Sequence, residues 1–290
     1  MKKIRVAVLM GGNSTEREVS LMSGKEVMKN LDKEKYEVIG IVVPEELEKV
    51  KNVEMAFLAL HGKGGEDGLI QGYLETLGIK YTGCGVLASA IGMDKKIFRK
   101  LAEKEGLLMA KQTNKIPCVV KPVNGGSSVG VVIVKNENKL EEAIKEVKKY
   151  DGEIIIEEYI EGTEVSCGVL GNENPMALPV IEIVPKKDFF DYEAKYTVGM
   201  SEEICPARLS KGVTKRVLEA TVRTFKMIRG RGYSRVDFII KNGMPYLLEI
   251  NTLPGLTPNS LLPKEAKAIG MNYSQLLDKI IELALKKPLK

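Results

Sequence analysis

The stretch YSRVDFIIKNGMPYLLEIN, residues 233–251, consists of two apolar runs on either side of Asn242 and Gly243. β-Branched and aromatic residues around an Asn-Gly pair are typical of a β-hairpin. Charged and amide side chains nevertheless occupy both predicted strands, namely Arg235, Asp237, Glu249 and Asn251. Because such groups are costly to bury without partners, we expect them to bind one another or a ligand.

The register of this hairpin decides whether its oxygen-bearing side chains can share a metal ion. Glu249 and Asn251 are two residues apart and face the same way, so Asp237 must join them from the partner strand. A plain two-residue turn would put Asp237 on the opposite face, whereas a three-residue loop would place it opposite Leu247. The same loop would bring Arg235 opposite Glu249. We therefore predict an odd-length loop or a compensating bulge, and a Mg²⁺ site. The alternative is a cross-strand salt bridge on a solvated sheet face.

Length and composition are those of a soluble globular protein with one large domain or two to three smaller ones. The chain has 290 residues, of which 44% are hydrophobic and 29% charged, and its formal net charge is +5. The positive charge is mild and dispersed, so we expect no nucleic-acid partner. Since apolar runs are too short to span a bilayer, we expect no membrane partner either.

Cysteine and histidine usage restricts the chemistry that the chain can perform. The four cysteines lie far apart and form no CxxC pair, which is typical of reduced core residues in a cytoplasmic protein. His61 is the single histidine, which excludes multi-histidine zinc sites. Any chemistry must therefore rest mainly on carboxylates, lysines, arginines and backbone amides.

Hydrophobic periodicity divides the chain into three parts. Apolar runs of strand length at 4–10, 37–43 and 55–60, with a helical pattern between the first two, predict an open parallel α/β unit. The strands CVVKP, VVIV and EIIIEEYI then accompany a helix in what we predict to be a small α+β lobe with antiparallel strands. Further strands, a helix and the hairpin follow. The predicted domains are residues 1–87, 88–165 and 166–290.

A glycine-rich loop in the middle part is a candidate phosphate site. In the segment VVKPVNGGSSVG, residues 119–130, Lys121 lies on a predicted strand that continues into a Gly/Ser loop. Such a loop exposes N–H groups and hydroxyls that can wrap a phosphate, and the lysine supplies positive charge. It is not a Walker A loop, which requires Gly-Lys-Ser/Thr. A plain glycine hairpin remains the alternative.

The first predicted strand runs into a helix start that is rich in acids. In VLMGGNSTERE, residues 8–18, Thr15 and Glu18 fit a capping box, so the helix should begin near Glu16. These acids occupy the positive end of the helix, which disfavours an anion and favours an ammonium group. Helix capping and complementation of the helix dipole are the alternative explanation of Glu16.

Two more glycine-containing turns resemble ligand sites. The stretch HGKGGEDG, residues 61–68, places His61 and two acids beyond a buried strand, where open α/β sheets bind ligands. The stretch GCGVLA, residues 83–88, resembles a dinucleotide fingerprint. Because no strand with a terminal acid follows about 20 residues later, we interpret it as a tight turn.

Taken in order, these stretches resemble the D-alanine–D-alanine ligases of the ATP-grasp superfamily. The motifs that carry the resemblance are GGNSTEREVS, HGKGGEDG, YTGCG, MDK, VVKPVNGGSSVG, IEEYIEGTEVS, DYEAKY, SRVDF and LLEINTLPGLTPNSLLP, and they span nearly the whole chain. The resemblance implies an ATP-grasp protein of the α/β and α+β classes. In that fold, an open parallel α/β N-terminal domain precedes two α+β lobes that sandwich ATP.

The resemblance also implies a role for each matching position. For ATP it implies Lys95 and Lys121 at the phosphates, Glu157 at the adenine amino group, Glu158 and Ile160 around the adenine, Glu164 at the ribose, and Ser127 and Lys195 as further contacts. For two Mg²⁺ or Mn²⁺ ions it implies Asp237, Glu249 and Asn251. For the substrates it implies Glu16 at the first D-alanine's ammonium, His61 nearby, and Ser260 and the Leu261 amide at the second carboxylate. For catalysis it implies Arg235 and the Gly255 amide at oxyanion charge. It also implies that Ser127, Tyr196 and Glu16 tie the phosphate loop and a mobile loop, residues 188–201, over the site.

The implied reaction is the ATP-dependent joining of two D-alanines for peptidoglycan precursor synthesis by a homodimeric enzyme. The γ-phosphoryl group activates one carboxylate as an acyl phosphate, and the second amine displaces phosphate. The Lys195-Tyr196 pair resembles the dipeptide-forming members, which favours an amine nucleophile; a ligase that uses D-lactate or D-serine second is the alternative. The segment over residues 110–119 is shorter than is usual in the family.

Overall fold

The computed structural model describes residues 2–126, 129–185 and 201–286. These ranges contain three separate β-sheets, one parallel and two antiparallel, with helices packed on them. Ser127, Lys195, Tyr196 and nearly all of the predicted mobile loop lie outside the described residues. The sheets occupy residues 4–81, 118–158 and 163–251, and the exact domain boundaries stay a prediction.

The first sheet is parallel, with strand order β2-β1-β3-β4. Its strands are β1 (Ile4–Gly11), β2 (Tyr36–Val43), β3 (Met55–Leu58) and β4 (Lys80–Tyr81), and its helices are α1 (Arg17–Asn30) and α2 (Leu69–Thr76). Strand β1 is buried from Val6 to Gly11, as expected of a strand covered on both faces. The predicted parallel α/β unit is therefore present.

Helix α1 begins where the sequence predicted but without the predicted cap. Its N-cap residue is Glu16, and no side chain caps it. The Ser14 hydroxyl accepts a hydrogen bond from the Glu16 N–H at 3.1 Å and donates to the His61 carbonyl at 2.7 Å. The capping box of Thr15 and Glu18 was wrong, because the preceding turn is stabilised by contacts with the β3 end of the sheet instead.

The middle of the chain forms a small antiparallel sheet with order β6-β5-β7. Its elements are α3 (Val86–Met93), α4 (Lys95–Lys104), β5 (Cys118–Pro122), β6 (Val132–Val134), α5 (Leu140–Val147) and β7 (Ile154–Glu158). Cys118 and Val120 pack against α5 in one apolar cluster. Since side chains alternate along a strand, Val119 and Lys121 face the other way, into a cavity.

The last sheet has the order β11-β10-β8-β12-β13, with β9 paired to β8. Its elements are β8 (Thr163–Gly171), β9 (Met176–Ala177), β10 (Ile181–Pro185), β11 (Ser201–Ile204), α6 (Lys211–Met227), β12 (Gly232–Lys241), β13 (Met244–Asn251), α7 (Leu261–Ala268) and α8 (Tyr273–Leu285). One face of β8 and β12 packs under α6, whereas Leu276 and Ile280 of α8 join the core of the first sheet. The chain end thus holds the first and last sheets together.

The hairpin of β12 and β13 has a two-residue turn and a bulge. Lys241 pairs with Met244 around Asn242 and Gly243, whose φ angles are 52° and 71°. Such positive values match the type I′ turn that Asn-Gly favours. The register then shifts between Asp237 and Phe238. The predicted alternative of a compensating bulge is confirmed, and the odd-length loop was wrong.

This bulge changes the predicted cross-strand pairs. Leu248 is the extra residue, so Asp237 lies opposite Glu249, rather than opposite Leu247 as the three-residue loop required. Arg235 lies opposite Asn251, and the expected pairing of Arg235 with Glu249 was wrong. The extra residue of the bulge compensates for the even length of the turn. As a result, Asp237 and Glu249 lie directly opposite each other across the two strands.

Among the described residues, none of the helices is both long and apolar enough to cross a membrane.

Candidate active site

A cavity of about 380 Å³ lies between the two antiparallel sheets. Its apolar wall includes Val119 and Ile133 of the small sheet and Ile239 and Leu248 of the large one. Charged and polar side chains converge on this apolar wall from several strands, which is typical of a small-molecule site. The predicted site residues that line the cavity are Lys95, Lys121, Glu157, Glu158, Ile160, Glu164, Asp237 and Glu249.

The remaining described site residues do not line this cavity. They are Glu16, His61, Arg235, Asn251, Gly255, Ser260 and Leu261. They lie at the carboxyl end of the first sheet, on β12 and β13, in the connection that follows β13, and at the start of α7. The structure therefore gathers most positions assigned to ATP, and leaves those assigned to the substrates on neighbouring elements.

Glu157 is held between two cations at the wall of the cavity. The Lys121 Nζ lies 2.5 Å from Glu157 Oε2, and the Arg99 guanidinium contacts Oε1. Arg99 also donates to the Ala110 carbonyl at 2.8 Å. Burial acts to raise the pKa of Glu157, but the charges and hydrogen bonds of Lys121 and Arg99 outweigh it and hold that pKa below its usual value. Glu157 thus fixes the position of Lys121.

The sequence did not reveal Arg99. It lies on the buried face of α4 beside Phe98 and Ala102, where an apolar residue would be ordinary. A basic residue on such a face is the only local signal, because its partner Glu157 is 58 residues away in the chain.

Lys95 reaches the glycine loop from the start of α4. Its Nζ donates to the Gly125 carbonyl at 2.5 Å, and its backbone N–H donates to the Val123 carbonyl at 3.1 Å. Asp94 caps the helix by accepting from two backbone N–H groups. Lys95 beside the loop and Lys121 on the strand that leads into it both line the cavity, and two positive charges there suit an anionic ligand.

Asp237 is the centre of a buried polar group. Its Oδ1 accepts from the Ser166 hydroxyl at 2.6 Å and from Arg235 Nε at 2.9 Å, and its Oδ2 accepts from Arg235 Nη2 at 2.8 Å. Burial acts to lower the pKa of Arg235, but the negative charges of Asp237, Glu249 and Glu265 outweigh it and raise that pKa above the usual value. Arg235 therefore carries a permanent positive charge.

The oxygen donors around Asp237 suit a small, hard cation. Asp237 and Glu249 lie opposite each other across β12 and β13, and both line the cavity. Asn251 follows two residues later, and its Oδ1 accepts the Leu253 N–H at 3.0 Å. Within the described ranges, no three His, Cys, Asp or Glu side chains come together as a metal site. Asn251 would add an amide oxygen to the two carboxylates, and such a donor set fits Mg²⁺ or Mn²⁺.

A second group of acids surrounds His61 at the end of the first sheet. The His61 Nε2 lies 3.2 Å from the Ser23 hydroxyl, and its Nδ1 lies 3.6 Å from Glu66 Oε1. Burial raises the pKa of Glu66. Glu16 is also buried, and a Cβ on Gly62 would lie 3.0 Å from its carboxylate. Buried acids in one place favour a cationic group such as an ammonium. Glu66 was not singled out from the sequence, although the stretch HGKGGEDG contains it.

Three other predicted residues lie at or near the start of α7. Ser260 is the N-cap of this helix, and its hydroxyl accepts from the Thr257 N–H at 3.1 Å. A Cβ on Gly255 would lie 3.1 Å from the same hydroxyl oxygen. The Leu261 N–H belongs to the first turn of the helix, where N–H groups lack helical partners and can bind an anion.

Family models, curated proteins and solved structures match this chain over nearly its whole length. The family model "D-ala D-ala ligase N-terminus" matches residues 5–48 and 43–84, and "D-ala D-ala ligase C-terminus" matches residues 88–282. A D-alanine–D-alanine ligase of Clostridium beijerinckii is 46% identical over 98% of this chain and 99% of its own. The crystal structure of the Bacillus anthracis D-alanine–D-alanine ligase complexed with ATP matches with a TM-score of 0.87, 39% identity and 98% coverage of both chains. The VanG D-Ala:D-Ser ligase of Enterococcus faecalis matches with a TM-score of 0.85 and 34% identity, over 98% of this chain and all of that one.

Proposed function

This chain belongs to the D-alanine–D-alanine ligase family, from which we infer its reaction. It is an ATP-dependent ligase that joins two D-alanines. We propose that the products are D-alanyl-D-alanine, ADP and phosphate, and that the dipeptide enters peptidoglycan precursor synthesis. The structural observation that best supports this proposal is the cavity between the antiparallel sheets, which is lined by lysines and acids from six strands and one helix.

We place ATP in this cavity. Lys95 and Lys121 both line this cavity, where their charges would neutralise the phosphates, and Glu164 would bind the ribose hydroxyls. Both carboxylate oxygens of Glu157 already bind cations. Its contribution to phosphate binding is therefore to orient Lys121, and its contact with the adenine amino group stays a prediction, as do the backbone contacts of Glu158 and Ile160.

Asp237, Glu249 and Asn251 would hold two Mg²⁺ or Mn²⁺ ions beside the phosphates. When bound, these ions would spread the negative charge that develops on the transferred phosphoryl group. Asp237 is suited to the task because Ser166 and Arg235 fix both of its oxygens in place. Three further points likewise stay predictions: that the two lobes sandwich ATP, that the enzyme is a homodimer, and that it is cytoplasmic.

The substrate carboxylate is a poor acyl donor, so ATP must first convert it to an acyl phosphate. We assign Glu16 to the ammonium of the first D-alanine, with His61 nearby. We assign the Ser260 hydroxyl and the Leu261 N–H to the carboxylate of the second D-alanine. Arg235, whose charge is permanent, and the Gly255 N–H would stabilise the oxyanion formed when the second amine attacks. The roles of Ser127, Lys195 and Tyr196 stay predictions because those residues lie outside the described ranges.

Release of phosphate tests this assignment directly. The protein is incubated with MgATP and D-alanine alone, with L-alanine alone, and with D-alanine plus D-serine or D-lactate. We expect phosphate and a dipeptide of two alanines from D-alanine alone. Turnover that requires D-serine or D-lactate would instead support the alternative second substrate, and no turnover with any pair would reject the ligase assignment.

A further inference from the structure

Glu265 is a buried acid with an unexplained oxygen. It lies in α7, and none of its side chain reaches solvent. Its Oε2 accepts a hydrogen bond from the Gly168 N–H at 2.9 Å. Its Oε1 is buried and has no hydrogen-bond partner among the described residues. A buried carboxyl with half of its hydrogen-bonding capacity unused is costly, which calls for a reason other than packing.

The bond to Gly168 explains only one of the two oxygens. Strand β8 pairs with β10 up to Ser166 and with β9 from Val169, so the N–H of Gly168 lies at the break between these neighbours. Glu265 satisfies that N–H. A Cβ on Gly168 would lie 2.3 Å from Oε2, so glycine makes room for the acid. A glutamine could accept the same hydrogen bond, and therefore this role does not account for a carboxyl group.

Strand register and charge link the carboxyl group of Glu265 to Arg235. Gly168 pairs directly with Arg235 in the β8–β12 register, and Ser166 pairs with Asp237. Arg235 directs both of its hydrogen bonds within the described chain to Asp237. Burial raises the pKa of Glu265, and the positive charge of Arg235 opposes that rise. Asp237 and Glu265 are thus two acids that act on one buried guanidinium.

We propose that Glu265 is a positioning residue for the ligation reaction, which holds Arg235 in place relative to the start of α7. This inference rests on the proposed function. Asp237 would share its oxygens with metal ions during the reaction, so a second carboxyl is needed to keep Arg235 aimed at the reacting carbonyl. Because Glu265 lies one turn after Ser260 and Leu261, the same side chain fixes the distance between the second D-alanine's carboxylate and Arg235.

A double-mutant cycle between Glu265 and Arg235 tests the proposal. Glu265→Gln keeps the acceptor for Gly168 and removes the carboxyl group. We expect its kcat to fall about tenfold or more, with the KM for ATP within about twofold and calorimetric binding of MgATP retained. In an Arg235→Lys background, which lacks the guanidinium fork, the same change should have little further effect on kcat.

The matched control is Glu203→Gln. It removes the acidic partner of Lys264, which is the neighbour of Glu265 on α7. Its kcat should stay within about twofold of the parent. Wild-type kinetics in Glu265→Gln would overturn the proposal, as would equal losses of kcat in both backgrounds or loss of MgATP binding. Turnover of D-alanine by the unmodified enzyme tests the proposed function separately, so failure of that function and failure of this inference are distinguishable.

Discussion

Substitution of Arg99 by Met should destabilise the chain through Glu157. The side chains of Arg99 and Glu157 are each 6% exposed, and the change leaves the carboxylate buried with Lys121 as its remaining partner. Removing one partner of a buried ion pair costs about 3–5 kcal/mol. Since Lys121 Nζ remains 2.5 Å from Glu157, we expect a smaller loss of about 2–3 kcal/mol in the free energy of unfolding.

The matched control on the same helix is Lys96→Met. Lys96 forms an ion pair with Glu153 at 2.5 Å, but these side chains are 44% and 64% exposed. Exposed pairs contribute only about 0–1 kcal/mol, because water and salt screen the charges. At about 2–4 °C per kcal/mol, Arg99→Met should lower Tm by roughly 4–12 °C, and Lys96→Met by only about 0–4 °C.

The pH dependence gives this prediction a second readout. Because the folded-state pKa of Glu157 is lowered, its ion pairs stabilise the folded chain above the ordinary glutamate pKa. That stabilisation is lost as the pH falls through the lowered value. The Tm difference between the parent and Arg99→Met should therefore be constant from about pH 6 to 8 and shrink below about pH 4.

Activity supplies the last readout. With Arg99 absent, Lys121 becomes the single counter-ion of Glu157 and is less available to the ATP phosphates. A loss of about 1 kcal/mol in the binding free energy between Lys121 and the phosphates would raise the KM for ATP roughly fivefold. Differential scanning fluorimetry across pH and phosphate-release kinetics measure these effects. Equal Tm losses in Arg99→Met and Lys96→Met, or a deficit that persists unchanged at pH 3, would refute the reasoning.

Asp237→Asn should reduce phosphate release about 10²-fold or more, whereas Ser166→Ala, which removes one hydrogen bond to that carboxylate, should keep most of the rate. Gly162→Ala should lower the free energy of unfolding, measured by urea denaturation, by about 1–3 kcal/mol, because its Cβ would lie 2.3 Å from a carbonyl oxygen of β12. Gly152→Ala is the neutral control, since its Cβ would have nothing within 4 Å. Equal denaturation midpoints for the two variants would contradict the steric argument. Burial raises the pKa of the Cys205 thiol to about 11. At pH 8 it should therefore react with a thiol-specific reagent about 10²-fold more slowly than an unhindered thiol of ordinary pKa, and a fast single-thiol phase would count against this.

The hairpin shows how far residue spacing can lead. Alternation along the strands required Asp237 and Glu249 to share a face, and this requirement alone predicted an odd loop or a bulge. Spacing could not choose between these two solutions, because both restore parity. The chain combines a two-residue Asn242-Gly243 turn with a bulge at Leu248, and so the cross-strand partners of Asp237 and Arg235 differ from those that the loop implied.

Two of the residues that the sequence did not reveal, Arg99 and Glu265, share one property. Arg99 is 58 residues from Glu157, and Glu265 is 97 residues from Gly168. Each is a charged residue within a short helix, where local patterns indicate helix formation and little else. What gives them a role is a partner on another element, and only packing brings such partners together.

The sequence by itself determined the parallel α/β start, the Asn-Gly hairpin, the glycine loop behind Lys121 and the family that these motifs identify, because each depends on residues close together in the chain. The tertiary structure decided which charges meet: Glu157 with Arg99 and Lys121, and Arg235 with Asp237 instead of Glu249. The physical reason is that the strength of an ion pair depends on distance and burial in space, which local spacing does not specify.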